Sequence, residues 1–167
     1  TPATRGPKGR GAPPEGPEGG FAGLGEPVAA ASLAQVHRLE TSDGPKAVKI
    51  LRPGVEQMIY QELRAIRRAA RTVERASIES RRLEPVKFTE TVATSMEKEL
   101  DFRLEAGGAD QMRAISQDDD WFRVPAIDWD RTAQRVLTMD WVEGIPLTRP
   151  EALEQPGLER VALANKI

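Results

Sequence analysis

Lys46-Ala47-Val48-Lys49-Ile50-Leu51 is the stretch whose reading decides the fold. It is a short, β-branched run with a lysine inside it, and strand alternation puts Val48 and Ile50 on one face and Lys49 on the other. Ser42-Asp43-Gly44-Pro45 stands immediately before it, and a second strand-like run, Ser32 to Glu40, stands before that. Two such runs around strong turn chemistry predict an antiparallel hairpin. Arg52-Pro53-Gly54 ends the second strand, because proline donates nothing to a ladder.

Working outward, a helix is expected from about Val55 to Ala76. Ile59, Leu63, Ile66, Ala70 and Val73 recur along one face, and Arg64, Arg68, Arg71 and Arg75 line another. The arginines read as a solvated face, with contact to acidic lipid headgroups as the alternative. A second long helix is expected from about Pro85 to Ile115, with Phe88, Val92, Ser95, Glu99, Phe102, Ala106 and Ala109 on one stripe. Phe122 to Trp129 and Gln134 to Val142 then read as another hairpin around Asp130-Arg131-Thr132-Ala133. The expected order is β-β-α-α-β-β.

Residues 1–25 hold eight glycines and five prolines and only Phe21 and Leu24 as sizeable apolar groups, so they are expected to be disordered. An ordered domain is expected over 26–148, followed over 149–167 by a loop and the start of a further helix near Glu159. With 30% charged and 39% apolar residues the chain has the composition of one soluble, globular domain. The net charge of -2 does not suit a nucleic-acid partner, which requires a clustered basic face. There is no cysteine and one histidine, so disulfides, thiolate metal sites and Cys–His pairs are excluded. His37, alone on a strand, reads as structural, and Trp121, Trp129 and Trp141 as core or strand residues. No apolar run approaches the roughly 20 residues needed to cross a bilayer.

Glu99 poses the chemical question. A carboxylate on an apolar helical stripe is costly to bury without a partner, and Lys49, set apart from its apolar strand neighbours, is the economical one. Such a lysine–glutamate pair is how kinases hold nucleotide phosphates; the alternative is that both ends are exposed and unrelated. Where a kinase carries its Gly-rich loop, this chain has Ala29-Ala30-Ala31-Ser32. Each alanine adds a Cβ that restricts positive φ and holds the backbone further from a ligand. The run is either an ordinary strand entry or a modified phosphate loop with Ser32 as a donor.

Pro27 to His37, then Ala47-Val48-Lys49 with Arg52-Pro53-Gly54, then Glu99-Leu100-Asp101-Phe102-Arg103-Leu104-Glu105-Ala106, and finally Val136 to Gly144, resemble the AarF/UbiB family of atypical kinase-like proteins, which support ubiquinone (coenzyme Q) biosynthesis. The resemblance runs from about Glu26 to Ile167. It implies an α+β fold, a protein-kinase-like small lobe of antiparallel sheet with two long helices, and a large lobe that is missing. It implies ATP or ADP as ligand, with Mg2+ in the complete protein. Ala29, Ala30, Ala31 and Ser32 would be the nucleotide loop, Lys49 the nucleotide lysine and Glu99 its supporting partner. Met139 would be the gatekeeper, and Asp140, Trp141 and Val142 the hinge backbone that meets adenine. Asp101 and Glu105 would be regulatory, Glu105 pairing with a lysine of an N-terminal Lys-x-Gly-Gln extension.

The chain departs from the family by lacking that Lys-x-Gly-Gln motif, a His-x-Asp catalytic loop, an Asp-Phe-Gly magnesium motif and the family's membrane helices. It therefore reads as a truncated, ATP-binding part of a UbiB-type kinase or ATPase, inactive alone and holding no metal. The alternative is a non-catalytic, pseudokinase-like module that docks to quinone-biosynthesis proteins or lipid. By resemblance the partners are ubiquinone-biosynthesis proteins, membrane lipid and quinone precursors. The implied location is cytoplasmic, peripheral to a bacterial inner membrane.

Overall fold

A computed structural model describes residues 21, 23–76, 78–119, 122–146 and 148–154 of the chain. Four antiparallel strands lie in the order β1 (Pro27–Ala30), β2 (Ala34–Thr41), β3 (Gly44–Leu51) and β4 (Val136–Asp140). Between β3 and β4 run α1 (Val55–Ala76), α2 (Ile78–Arg82), α3 (Pro85–Glu99) and α4 (Phe102–Ile115). This is the α+β architecture of a kinase-like small lobe.

The hairpin expected around Lys49 is present. Thr41 pairs with Gly44 across a two-residue turn, and Gly44 adopts φ +109°, a conformation that favours glycine. β1 is a strand that the expected order of elements does not include. It lies at the edge of the sheet, where a leading proline costs no ladder bond, and its register slips between Pro27 and Ala29.

Alternation along these strands divides the core. Ala34, Leu51 and Leu137 face the helices and pack with Val55, Ile59, Leu63, Ala93, Leu100, Phe102 and Ala106. Leu39, Val48 and Val136 form the opposite cluster, and Phe21 and Leu24 pack against it. His37, buried, has Nδ1 2.8 Å from the Gly25 carbonyl. Order thus begins by Phe21, inside the segment expected to be disordered, because two apolar side chains find a sheet face to cover. Residues 1–20 and 22 of that segment lie outside the described residues, as do Trp121, Leu147 and the helix expected near Glu159.

Along α1 the expected stripe is buried at Ile59, Leu63 and Ala70, with Val55 added, but Ile66 and Val73 are half-exposed. Arg67 and Glu74 are half-buried beside Leu63 and Ala70. The helix is thus covered from one side, where α3 packs. Arg64, Arg68, Arg71 and Arg75 are all exposed, as a solvated face requires.

The single helix expected over Pro85–Ile115 is two. Leu100 closes α3, and Asp101 takes an extended conformation (φ -116°, ψ 95°) and caps α4, its side chain accepting from the Arg103 N–H at 3.1 Å. The Phe102 N–H leaves the helical ladder for the Gln134 carbonyl at 2.9 Å. The second hairpin is also shorter than expected. Only Val136–Asp140 forms a strand; Ile127 bridges Met139, and the Asp128 N–H donates to the Thr138 carbonyl at 2.9 Å. Pro125 lacks a donor, and Asp128 turns the chain into a 3-10 helix at Trp129–Arg131 by accepting from the Arg131 N–H.

Candidate functional site

Lys49 lies mid-strand in β3, directly between Val36 of β2 and Leu137 of β4. On an antiparallel sheet such opposed residues share a face. The next row on that face is Arg38, Ala47 and Met139. Val36, Ala47 and Met139 are half-buried, so the lysine stands beside apolar side chains that are not fully covered. Sequence reasoning missed Val36 and Ala47, although the period-two alternation that placed Lys49 also places them.

The partner of Lys49 is Glu105, not Glu99. Its Nζ donates to both Glu105 oxygens, at 2.8 and 2.7 Å, and lies 4.7 Å from the centre of the Phe102 ring. Glu99, expected as that partner, is exposed at the last position of α3. The physical reason is the break at Leu100–Asp101. In one continuous helix Glu99, Phe102 and Ala106 would share a stripe. With the break, Phe102 and Ala106 keep the core face and Glu105, one turn into α4, takes the lysine. Glu105, expected to pair with a lysine of an N-terminal extension, here pairs with Lys49.

The pair is partly solvated, with side chains 27% and 46% exposed, so it stabilises by no more than about 1 kcal/mol. The ring contact adds an amount of order 0.5–1 kcal/mol. Orientation is the larger effect: an ammonium has three donors and Glu105 uses two, leaving one directed elsewhere.

Asp101 does not face Glu105 as a helical neighbour. Arg103 donates to both its oxygens, Nε at 2.9 Å and Nη2 at 2.7 Å, and that hydrogen bonding holds the Asp101 carboxyl below the usual range while raising the guanidinium. Each of the two carboxylates thus has its own cation, Arg103 for Asp101 and Lys49 for Glu105.

Ala29 and Ala30 end β1; Ala31, Ser32 and Leu33 turn the chain into β2, closed by the Ala31 N–H donating to the Ala34 carbonyl at 2.9 Å. No alanine in this turn has positive φ, so the conformation does not require glycine. All four residues Ala29–Ser32 are exposed. Met139 packs against the core beside Ile127. Asp140 pairs with Lys46 at 2.7 Å, Trp141 lies under the Arg38 guanidinium, and Val142 is exposed.

Among the described residues no three His, Cys, Asp or Glu side chains come close enough to hold a metal ion, and no helix is long and apolar enough to cross a membrane. The described residues thus offer no set of side chains that fits Mg2+.

The chain is similar to known proteins. Residues 17–167 match the ABC1 atypical kinase-like domain. The probable protein kinase UbiB of Marinobacter nauticus is 38% identical over 142 residues, which is 84% of this chain and 26% of that protein. The corresponding protein of Cellvibrio japonicus is 36% identical over the same shares. Among solved structures, the Rv3197–erythromycin complex of Mycobacterium tuberculosis superposes with a TM-score of 0.64 at 31% identity, covering 75% of this chain and 31% of that one. The chain thus spans about a quarter of the length of the curated relatives it matches. Matched over most of its residues, with its four-stranded sheet, alanine turn and strand lysine, the chain belongs to the ABC1 atypical kinase-like family.

Proposed function

We propose that these residues form the nucleotide-binding part of an atypical UbiB-type kinase or ATPase that supports ubiquinone (coenzyme Q) biosynthesis. The observation that carries this reading is the held ammonium of Lys49, bound by both Glu105 oxygens above the Phe102 ring. An ammonium fixed in this way meets α- and β-phosphate charge without first losing the freedom of a long side chain. Val36, Ala47 and Met139 on the same face offer an apolar wall to a planar base, and the alanine turn at 29–32 stands over the edge of the sheet.

Mg2+, when held by the complete protein, would neutralise phosphate charge. Its ligands would come from residues other than those described. The 167 residues carry no His-x-Asp loop, and their one histidine is engaged with the Gly25 carbonyl. On this reading these residues bind nucleotide and orient it, and we assign them no phosphoryl transfer by themselves. Partners of the complete protein would be quinone-biosynthesis proteins, membrane lipid and quinone precursors, at the cytoplasmic side of a bacterial inner membrane.

A second reading, a non-catalytic docking module, is favoured by the exposed apolar residues Leu104, Met112 and Ile115 on α4. Titration calorimetry separates the two. Nucleotide binding predicts ADP affinity that falls at least about tenfold in Lys49→Ala, the loss expected for a charge-assisted phosphate contact. No ADP binding by the wild-type protein would leave only the docking reading.

A further inference from the structure

Past β4 the chain leaves the sheet through Asp140-Trp141-Val142-Glu143, and two cations reach this exit from opposite faces. On the face of Val48, Lys46 Nζ donates to Asp140 Oδ1 at 2.7 Å, and the Lys46 side chain is only 13% exposed. On the face of Lys49, the Arg38 guanidinium lies over the Trp141 ring, 5.2 Å from its centre. Arg38 Nε donates to Glu40 at 2.8 Å, and its Nη1 is 3.9 Å from Glu143. Between the two faces the Trp141 N–H donates to the Pro45 carbonyl at 3.1 Å.

The register explains why both are needed. Lys46 stands opposite Asp140, while Arg38 stands opposite Ala47, which itself stands opposite Met139. Consecutive residues of a strand point to opposite faces, so Asp140 and Trp141 cannot share one partner. A segment leaving a sheet with few ladder bonds is among the first parts of a fold to open. Here it is tied by the Asp140 N–H donating to the Ala126 carbonyl at 2.9 Å, by the Trp141 N–H donating to the Pro45 carbonyl, and by a side chain on each face. The planar guanidinium lies over the ring while its Nε bonds Glu40.

We propose that Arg38 and Lys46 are positioning residues that fix the direction in which residues 140–142 leave the sheet, and so set how well the site accepts a purine base. This rests on the nucleotide reading given above. Neither residue reaches the phosphate-facing ammonium: Lys46 is on the opposite face of the sheet, and Arg38 is occupied by Glu40 and Trp141. Their effect is therefore on the base and not on the phosphates.

The test compares ADP with tripolyphosphate, which has phosphates and no base, by calorimetry on the purified protein, with hydrogen exchange of the peptide spanning 139–144 measured alongside. The double variant Arg38→Gln/Lys46→Met should exchange faster in that peptide. It should bind ADP about fivefold more weakly, the scale of one lost stacking contact and one lost ion pair, and bind tripolyphosphate as the wild type does. Arg38→Gln alone serves if the double variant does not fold. Unchanged ADP affinity, or equal weakening of both ligands as a general loss of structure would give, overturns the proposal. A wild-type protein that binds neither ligand overturns the nucleotide reading itself, and this inference with it.

Discussion

Lys49 and Glu105, separated by 56 residues in the chain, bind each other through both carboxylate oxygens at 2.8 and 2.7 Å. The contact joins the middle of β3 to the first turn of α4, the two elements whose relative placement sets where the ammonium points. A double-mutant cycle with Lys49→Met and Glu105→Gln should give a coupling of about 0.5–1 kcal/mol in urea unfolding. The same cycle with Glu99→Gln should give none, because that carboxylate is exposed on the far side of the helix break. Coupling to Glu99 equal to that with Glu105 would show that α3 and α4 are continuous.

Asp101 makes a pH-dependent contribution of known sign. Arg103 lowers its carboxyl from the ordinary value of 3.8, so the stabilisation is present above that value and is lost as pH falls through the lowered folded value. Asn keeps the helix cap but not the charge. Asp101→Asn should melt below the wild type at pH 7, and the gap should close progressively below pH 3.8. A gap that stays constant on acidification would mean the pairing with Arg103 contributes nothing.

Thr138 is fully buried in β4, and its hydroxyl donates to the Arg131 carbonyl at 2.7 Å while Thr132 Oγ1 accepts from the Thr138 N–H at 3.1 Å. These bonds anchor the 3-10 turn to the strand that leads to the exit. Thr138→Val keeps the shape and strands a buried carbonyl, at a cost of about 1–3 kcal/mol. Chemical denaturation should show this loss with an unchanged m-value.

Leu137, on the neighbouring face, is fully buried against the helices. Truncation to alanine opens a cavity at the junction of sheet and α4, so Leu137→Ala should cost about 2–5 kcal/mol. A loss well under 1 kcal/mol would mean that the helices do not pack on this face of the sheet.

The hairpin around Lys49 was legible because two strand-like runs and an Asp-Gly turn are local signals, and β2 and β3 follow them closely. So was the place of Lys49 within it. Its partner was not. Glu99 and Glu105 lie six residues apart, and whether one helix or two carries them depends on Asp101 capping α4 and on the Phe102 N–H reaching Gln134, a contact across 32 residues. An aspartate directly before Phe102 and four residues before Glu105, able to cap a helix, was the available signal, and it was outweighed by the apolar stripe that runs through it. The brace of Arg38 and Lys46 on the exit from β4 was hidden likewise, since Asp140 and Lys46 are 94 residues apart and only the β3–β4 register brings them together.

The central assignment is that the Lys49 ammonium faces nucleotide phosphates, and an acyl-phosphate derivative of ATP, which acylates a lysine amine lying at those phosphates, tests it most directly. Peptide mapping of the labelled protein should find the acyl group on Lys49, with labelling suppressed by excess ADP. Modification spread over the exposed lysines with Lys49 spared, or labelling of Lys49 that excess ADP does not reduce, would contradict it.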